Sequence, residues 1–233
     1  EEQTMLKASL AQFLAQRAGF AGRMAASRAE PGYRAEIWQG LAQTLGLLGA
    51  TLPESVGGLG GGAVEQLIIM EELGRALLLE PVPETVFQGG WLLEQCGESA
   101  LLAGIIAGDV RLAVALGEPG MRFDYADMAC RADRAGASWA LTGSKAVVMA
   151  APWATHLIIA ARTSGQAGEA QGLSLILADA QTKGLTLHAY STIDGRRAGD
   201  VLLESAAGRL IGPEGGALPL LEAMRDRAIA APA

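Results

Sequence analysis

RLAVALGEPGMRFDYADMACRADRAGASWALTGSKAVVMA, Arg111 through Ala150, is where the character of the chain changes. Residues 112–116 form a short apolar run suited to a buried strand. It breaks at Glu118-Pro119-Gly120, a turn signal. Two more apolar runs follow, 138–141 and 146–150. Thr142-Gly143-Ser144-Lys145 between them reads as a hairpin connection. A strand that ends at such a turn offers backbone N–H groups and small side chains to a flat ligand, so the functional reading starts here too.

Downstream the same pattern continues. Apolar runs at 112–116, 128–132, 138–141, 146–150, 156–161, 173–177, 185–189 and 201–203 alternate with turn clusters. That predicts about eight strands at roughly 8–12-residue spacing, the pattern of a barrel or sandwich rather than a parallel sheet. Gly212-Pro213-Glu214-Gly215-Gly216 closes this region, and 218–230 turns helical again. The helical pattern runs to Ala233 without a cap, which reads as the opening of a second α region that is missing or cut away.

Upstream the period is helical. Leu6, Leu10, Phe13 and Leu14 share one face of a helix predicted over 3–26. Ile37, Trp38, Leu41, Leu45 and Leu48 do so over 36–48, with Gly49 as its stop. A third helix is predicted over 63–79, with Gly74 suggesting a close helix contact. A fourth covers 85–95, and a last short one runs from a Ser99 cap to Gly108. The fold class is α+β and multidomain: an N-terminal helical domain (1–110), a middle antiparallel β-barrel (111–212), and the start of a truncated C-terminal helical domain (213–233).

Composition narrows the function. The chain has 233 residues, half of them hydrophobic, and a net charge of −7. That acidity argues against nucleic acid as a partner. No apolar run approaches the ~20 residues of a membrane span, and the acidic Glu1-Glu2-Gln3 start has no signal-peptide character. Cys96 and Cys130 are too far apart for a metal motif, and His156 and His188 sit in strand-like runs. A reducing, cytoplasmic setting fits this cysteine use.

Gly58-Leu59-Gly60-Gly61-Gly62-Ala63 imitates a dinucleotide fingerprint, with Glu80 where a ribose-binding acid would lie. A nicotinamide site needs a strand running into the first glycine, and Pro53-Glu54-Ser55 intervenes after a helix. A glycine-rich turn between helices is the preferred reading. No nucleophile elbow surrounds Ser55 or Ser144.

Six segments in order resemble the acyl-CoA dehydrogenase family. Residues 49–60 (GATLPESVGGLG) are similar to its "PEEYGGLG" segment, and Glu71-Glu72-Leu73-Gly74-Arg75 to its "EELGR" helix. Residues 116–124 (LGEPGMRFD) fall where the family has "TEPGAGSD", and Leu141-Thr142-Gly143-Ser144-Lys145 matches "LNGxK". Residues 195–198 and 210–216 (LIGPEGG) match two later signatures. The resemblance implies three domains in α-β-α order and FAD bound between the middle domain and the C-terminal helices. It also implies α,β-dehydrogenation of an acyl-CoA thioester, an electron-transfer flavoprotein-type acceptor, and a homo- or hetero-oligomer with another such chain.

By the same resemblance, flavin would meet Leu116 and Gly117 through main-chain N–H groups, and the segment Val147-Val148-Met149. Substrate would meet Arg122, Phe123 and Arg227. Asp226, just before Arg227, matches the position at which some members carry the base, although a solvated charge pair explains both residues. The chain departs from the family's pattern. Gly117 replaces the flavin-contacting Thr, Val147 the stacking aromatic, and Met149 a second Thr. Val147 cannot stack as an indole does. These replacements point to a flavin-site-degenerate subunit of a heteromer acting on bulky acyl-CoA as the alternative to a working flavoprotein. Arg122, Arg131, Arg134 and Lys145 gather around the same stretch. A guanidinium suits CoA phosphates, and surface solvation accounts for most of these charges equally well. Trp139 and Trp153 are expected in the core, and Asp194-Gly195-Arg196-Arg197 as a turn with a structural Arg.

Overall fold

A computed structural model of the chain describes residues 1–230. Its central element is the twelve-residue strand β3 (Ser138–Met149), which runs straight through Thr142-Gly143-Ser144-Lys145. The expected hairpin at 142–145 is therefore corrected. The chain reverses at Gly136 instead (φ 65°), joining β2 (Arg131–Ala135) to β3 with Ala135 opposite Ser138. Local turn chemistry at Gly143-Ser144 is overridden by pairing with β7 (Arg197–Ile211), which takes Gly143 against Leu203 and Ser144 against Leu202. Two predicted strands thus fuse, and the described residues hold seven.

The other strands are β1 (Leu112–Ala115), β4 (His156–Arg162), β5 (Leu173–Asp179) and β6 (Leu185–Ser191). β4, β2, β3, β7 and β5 close into a ring because β5 also pairs β4. β1 extends the sheet beside β4, and β6 lies on β7. Most pairings are antiparallel, and β4 runs parallel to both β1 and β2. Ring closure removes sheet edges and leaves an interior to be filled by side chains.

Packing explains why β4 and β5 read as largely apolar runs without polar alternation. Leu157, Ile159 and Ala161 face the barrel interior with Leu141, Val201 and Leu203. Ile158 and Ala160, with Leu173, Leu175 and Leu177, face outward into a second core shared with the helices. A strand covered on both faces needs no polar alternation.

The helices are α1 (Glu2–Arg17), α2 (Phe20–Arg28), α3 (Ala35–Gln39), α4 (Ala63–Arg75), α5 (Trp91–Gln95), α6 (Ser99–Ala107) and α7 (Ala217–Ala230). The helix predicted over 3–26 breaks at Ala18-Gly19 into α1 and α2. α3 continues as a π turn over Gly40–Thr44 and ends at Gly46, which is left-handed (φ 63°), so the stop is Gly46 and not Gly49. A π turn over Pro83–Gly90 leads into α5. A Cβ on Gly74 would meet nothing within 4 Å, so the expected close helix contact is absent. Ser99 opens α6 without a side-chain cap bond. α7 buries Ala217, Leu221 and Met224 at helical spacing against the shared core. The C-terminal segment predicted over 213–233 is described to Ala230, and 231–233 lie outside the described residues.

The glycine-rich loop follows a 3-10 turn, Glu54–Val56, and no strand precedes β1 among the described residues. A Cβ on Gly58 would lie 2.2 Å from Leu52 O, so the glycine serves close backbone packing. The helical and β regions are tied by ion pairs. Arg209 grips Glu98 through two bonds of 2.6 Å. Arg196, in the turn expected to hold a structural Arg, pairs with buried Glu84. Trp139 and Trp153 are core residues, and Trp153 Nε1 donates to Pro31 O.

Candidate functional site

The site is built over a buried charge. Lys145 sits mid-strand with its side chain turned inward and fully buried. Its Nζ donates to Glu118 Oε1 at 2.7 Å and to Leu116 O at 3.1 Å. Glu118 accepts two backbone N–H groups as well, from Ala129 (2.7 Å) and Cys130 (3.0 Å). An ammonium taken from water must be paired in this way. Burial pushes the Lys145 ammonium below the ordinary lysine range, against the opposing pull of Cys130 and Glu118. Lys145 is therefore neither a solvated surface charge nor free for a phosphate. It fastens the loop at the end of β1 to the middle of β3.

Above this pair the two expected flavin segments lie side by side. Ala146 N donates to Gly117 O at 2.8 Å. A Cβ on Gly117 would stand 3.0 Å from Ala146 O, so the close approach favours glycine here. Val147 is 60 % exposed, between half-buried Ala146 and buried Val148. It is left-handed (φ 53°), a true outlier for a β-branched residue. The register explains it. Lys145 pairs with Val201 and Val148 with Gly199, so Ala146 and Val147 together oppose Asp200 alone. Asp200 Oδ1 accepts the Val147 N–H at 2.9 Å and the Tyr190 O–H at 2.8 Å. The Val147 N–H, then Tyr190, hold the Asp200 carboxyl below its ordinary range. Val148 is buried in the barrel core, so only its backbone faces this surface. Leu116, Gly117 and Met149 are half-buried beside it.

The third part is the loop after Gly120. Arg122 and Phe123 are exposed, Phe123 almost completely. Asp124 caps a 3-10 turn, Tyr125–Asp127, by accepting from Ala126 N. α7 reaches this turn: the Arg225 guanidinium lies 5.9 Å from the Tyr125 ring centroid. Asp226 Oδ1 accepts from Arg225 at 3.0 and 3.1 Å, so its partner is Arg225 and not Arg227. Arg227 instead lies over Trp91. Asp226 and the Arg122–Phe123 loop thus share one end of the molecule.

Arg131 approaches Asp133, and Arg134 pairs with Glu214 while covering the Trp139 ring. Glu118, Asp200 and Arg162 are site-building residues that sequence reasoning did not single out. Arg162, 1 % exposed, donates to Met128 O, Gln171 O, Glu169 O and Ala126 O, fixing the base of the 121–128 loop. Its one sequence signal is an Arg that ends the apolar run His156-Leu157-Ile158-Ile159-Ala160-Ala161. No three His, Cys, Asp or Glu residues gather as a metal site among the described residues.

Residues 1–100 match the sequence model described as "Acyl-CoA dehydrogenase, N-terminal domain", and residues 113–205 match "Acyl-CoA dehydrogenase, middle domain". The chain belongs to the acyl-CoA dehydrogenase family. It is 30 % identical over 201 residues to acyl-CoA dehydrogenase FadE29 of Mycobacterium tuberculosis, covering 83 % of this chain and 51 % of that protein. It is 32 % identical over 148 residues to caffeyl-CoA reductase-Etf complex subunit CarC of Acetobacterium woodii, covering 61 % of this chain and 39 % of that one. Among solved structures, a variant of the Tcur3481-Tcur3483 steroid acyl-CoA dehydrogenase superposes with a TM-score of 0.86 at 32 % identity, covering 99 % of this chain and 62 % of that one. The chain thus spans less than two thirds of each of these relatives. Acyl-CoA dehydrogenases use FAD. Leu116–Gly117 and the Val147 bulge together offer main chain and an exposed apolar side chain, a surface compatible with a flat ring.

Proposed function

We propose that this chain is the N-terminal and middle part of an FAD-dependent acyl-CoA dehydrogenase. It would hold 1–110 as a helical domain, 111–212 as the flavin-facing barrel, and 213–233 as the opening of a further helical region. The observation that carries this reading is the Ala146 N–Gly117 O bond, which sets the two flavin-facing segments edge to edge over the buried Lys145–Glu118 pair.

In this reading the reaction removes the α-proton and β-hydrogen of an acyl-CoA thioester. Bound FAD would accept the β-hydrogen as hydride. The chain's own part is to orient and to hold charge. Leu116 and Gly117 would present main-chain groups to the ring, with Val147 and Met149 as its apolar face and Val148 holding the strand in the core. Arg122 would meet an anionic part of the CoA, and Phe123 and Arg227 would flank the acyl moiety. Asp226 would take the α-proton, with the Arg225 guanidinium donating to its carboxylate. An electron-transfer flavoprotein-type acceptor is supported by CarC's membership of an Etf complex. A bulky acyl-CoA substrate, and assembly with another chain of the family, are supported by the steroid acyl-CoA dehydrogenase. A cytoplasmic setting accords with the two free thiols, and no helix among the described residues is long and apolar enough to cross a membrane.

The test is anaerobic addition of acyl-CoA to the FAD-loaded protein. Bleaching of the flavin, and its reoxidation by an electron-transfer flavoprotein, are expected. A flavin that no acyl-CoA reduces would overturn the dehydrogenase reading. The second reading, a structural subunit of a heteromer with no flavin of its own, is favoured by Gly117, Val147 and Met149. It predicts flavin bound only by the partner chain.

A further inference from the structure

The Val147 bulge is held from outside the strand. Two residues against one leaves an N–H that the ladder cannot use. The Asp200 carboxylate folds back to accept it, and the Tyr190 phenol, from the neighbouring strand β6, donates to the same oxygen. His188 stands directly across β6–β7 from Asp200 and is the other titratable group facing it. A β-branched residue kept left-handed and exposed, with its freed N–H tied by a dedicated carboxylate, is the arrangement expected where surrounding structure imposes a conformation for a purpose. The bulge adjoins Gly117 through Ala146.

We propose that Asp200 and Tyr190 are positioning residues of the flavin site: Asp200, oriented by Tyr190, locks Val147 in its left-handed conformation so that the bulge presents one fixed face to the isoalloxazine ring. This rests on the flavin reading above. No side chain of the pair touches a reacting atom. Its contribution is to hold the bulge in place before the ring arrives.

The experiment titrates FAD into the protein, with its co-purifying partner present, and follows quenching of flavin fluorescence and the shape of the visible bands. Wild type is compared with Asp200→Ala, Asp200→Asn, Tyr190→Phe, Val147→Gly and the double variant Val147→Gly/Asp200→Ala. Asp200→Ala is expected to weaken FAD binding about tenfold, the loss of one hydrogen bond to a charged acceptor. Asp200→Asn keeps an oxygen that can accept the Val147 N–H and is expected to stay within about threefold. Tyr190→Phe shifts affinity the same way as Asp200→Ala by less, and keeps the test open should Asp200→Ala not fold. Glycine takes the left-handed conformation unaided, so removing Asp200 in the Val147→Gly background is expected to cost less than about twofold. A full Asp200→Ala penalty in that background would overturn the proposal. So would a lowered melting temperature with unchanged FAD affinity and spectrum. If wild type itself binds no FAD, the flavin reading fails and the proposal with it, and that failure is visible in the wild type before any variant is made.

Discussion

Lys145 and Glu118 form an ion pair with a fully buried ammonium, Nζ to Oε1 at 2.7 Å, between residues 27 apart in the chain. Because Glu118 also takes the N–H groups of Ala129 and Cys130, the pair joins three segments at one point. Glu118→Ala strands a buried ammonium and frees two N–H groups. It should destabilise the protein by about 3–5 kcal/mol, the scale for breaking a buried pair from one side. Lys145→Met/Glu118→Gln removes both charges together and should cost markedly less. Urea unfolding of the single and double variants measures both. Equal losses would mean that charge pairing is not what fastens the loop.

Arg162 offers a second break point. Its guanidinium satisfies carbonyls of Met128, Gln171, Glu169 and Ala126 at once, and a lysine cannot reproduce that fork. Arg162→Lys should therefore lose stability on the order of 2–3 kcal/mol, since several buried carbonyls go unmet. Hydrogen exchange should localise the loosening to the 121–128 and 169–172 loops. Uniform protection in both loops after the substitution would contradict the assignment.

The two thiols set a pH signature. Burial, assisted by Glu98, pushes Cys96 up to about 11. Burial also pushes Cys130 to about 11, against the opposing Lys145. Both sit above the ordinary ~8.5 of an unfolded thiol. The stability this contributes is complete below that ordinary value and is lost as pH rises through about 11. At pH near 8, thiol-specific alkylation of the native protein should run far slower than that of the urea-unfolded chain. Equal rates would show that these thiols are not held protonated by burial.

Gly58 tests whether the nucleotide-like loop serves packing alone. Gly58→Ala would push a Cβ into Leu52 O and should cost about 1–3 kcal/mol, a packing penalty. Adding NAD should neither offset that loss nor raise the melting temperature of the wild type. Stabilisation by NAD would restore the nicotinamide reading.

What the sequence disclosed depended on how local the cause was. β4 and β5 were legible because burial on both faces leaves Leu157-Ile158-Ile159-Ala160-Ala161 wholly apolar and Leu173–Ala178 apolar but for Ser174. The α-then-β order followed from the change of period at Arg111. The hairpin at 142–145 was misread because Thr-Gly-Ser-Lys is good turn chemistry taken alone. Only the partner strand β7, some sixty residues on, keeps that segment extended. The burial of Lys145 was equally hidden, since its carboxylate and its carbonyl acceptor lie on another segment. Asp200 and Val147, separated by 53 positions, meet only through the bulge, and no short-range pattern marks a bulge whose left-handed residue is a valine.

The most direct measurement is the visible absorption spectrum of the purified polypeptide, alone and then with any chain that co-purifies. A flavin band in the first sample, or in the mixture with the flavin released on separating the chains, is the predicted result. It would show that the chain holds FAD, alone or across a shared interface, as a flavin site at Gly117 and the Val147 bulge requires. No flavin band in either sample, even after incubation with excess FAD and gel filtration, would contradict the account and leave a chain that keeps the family's scaffold without its chemistry.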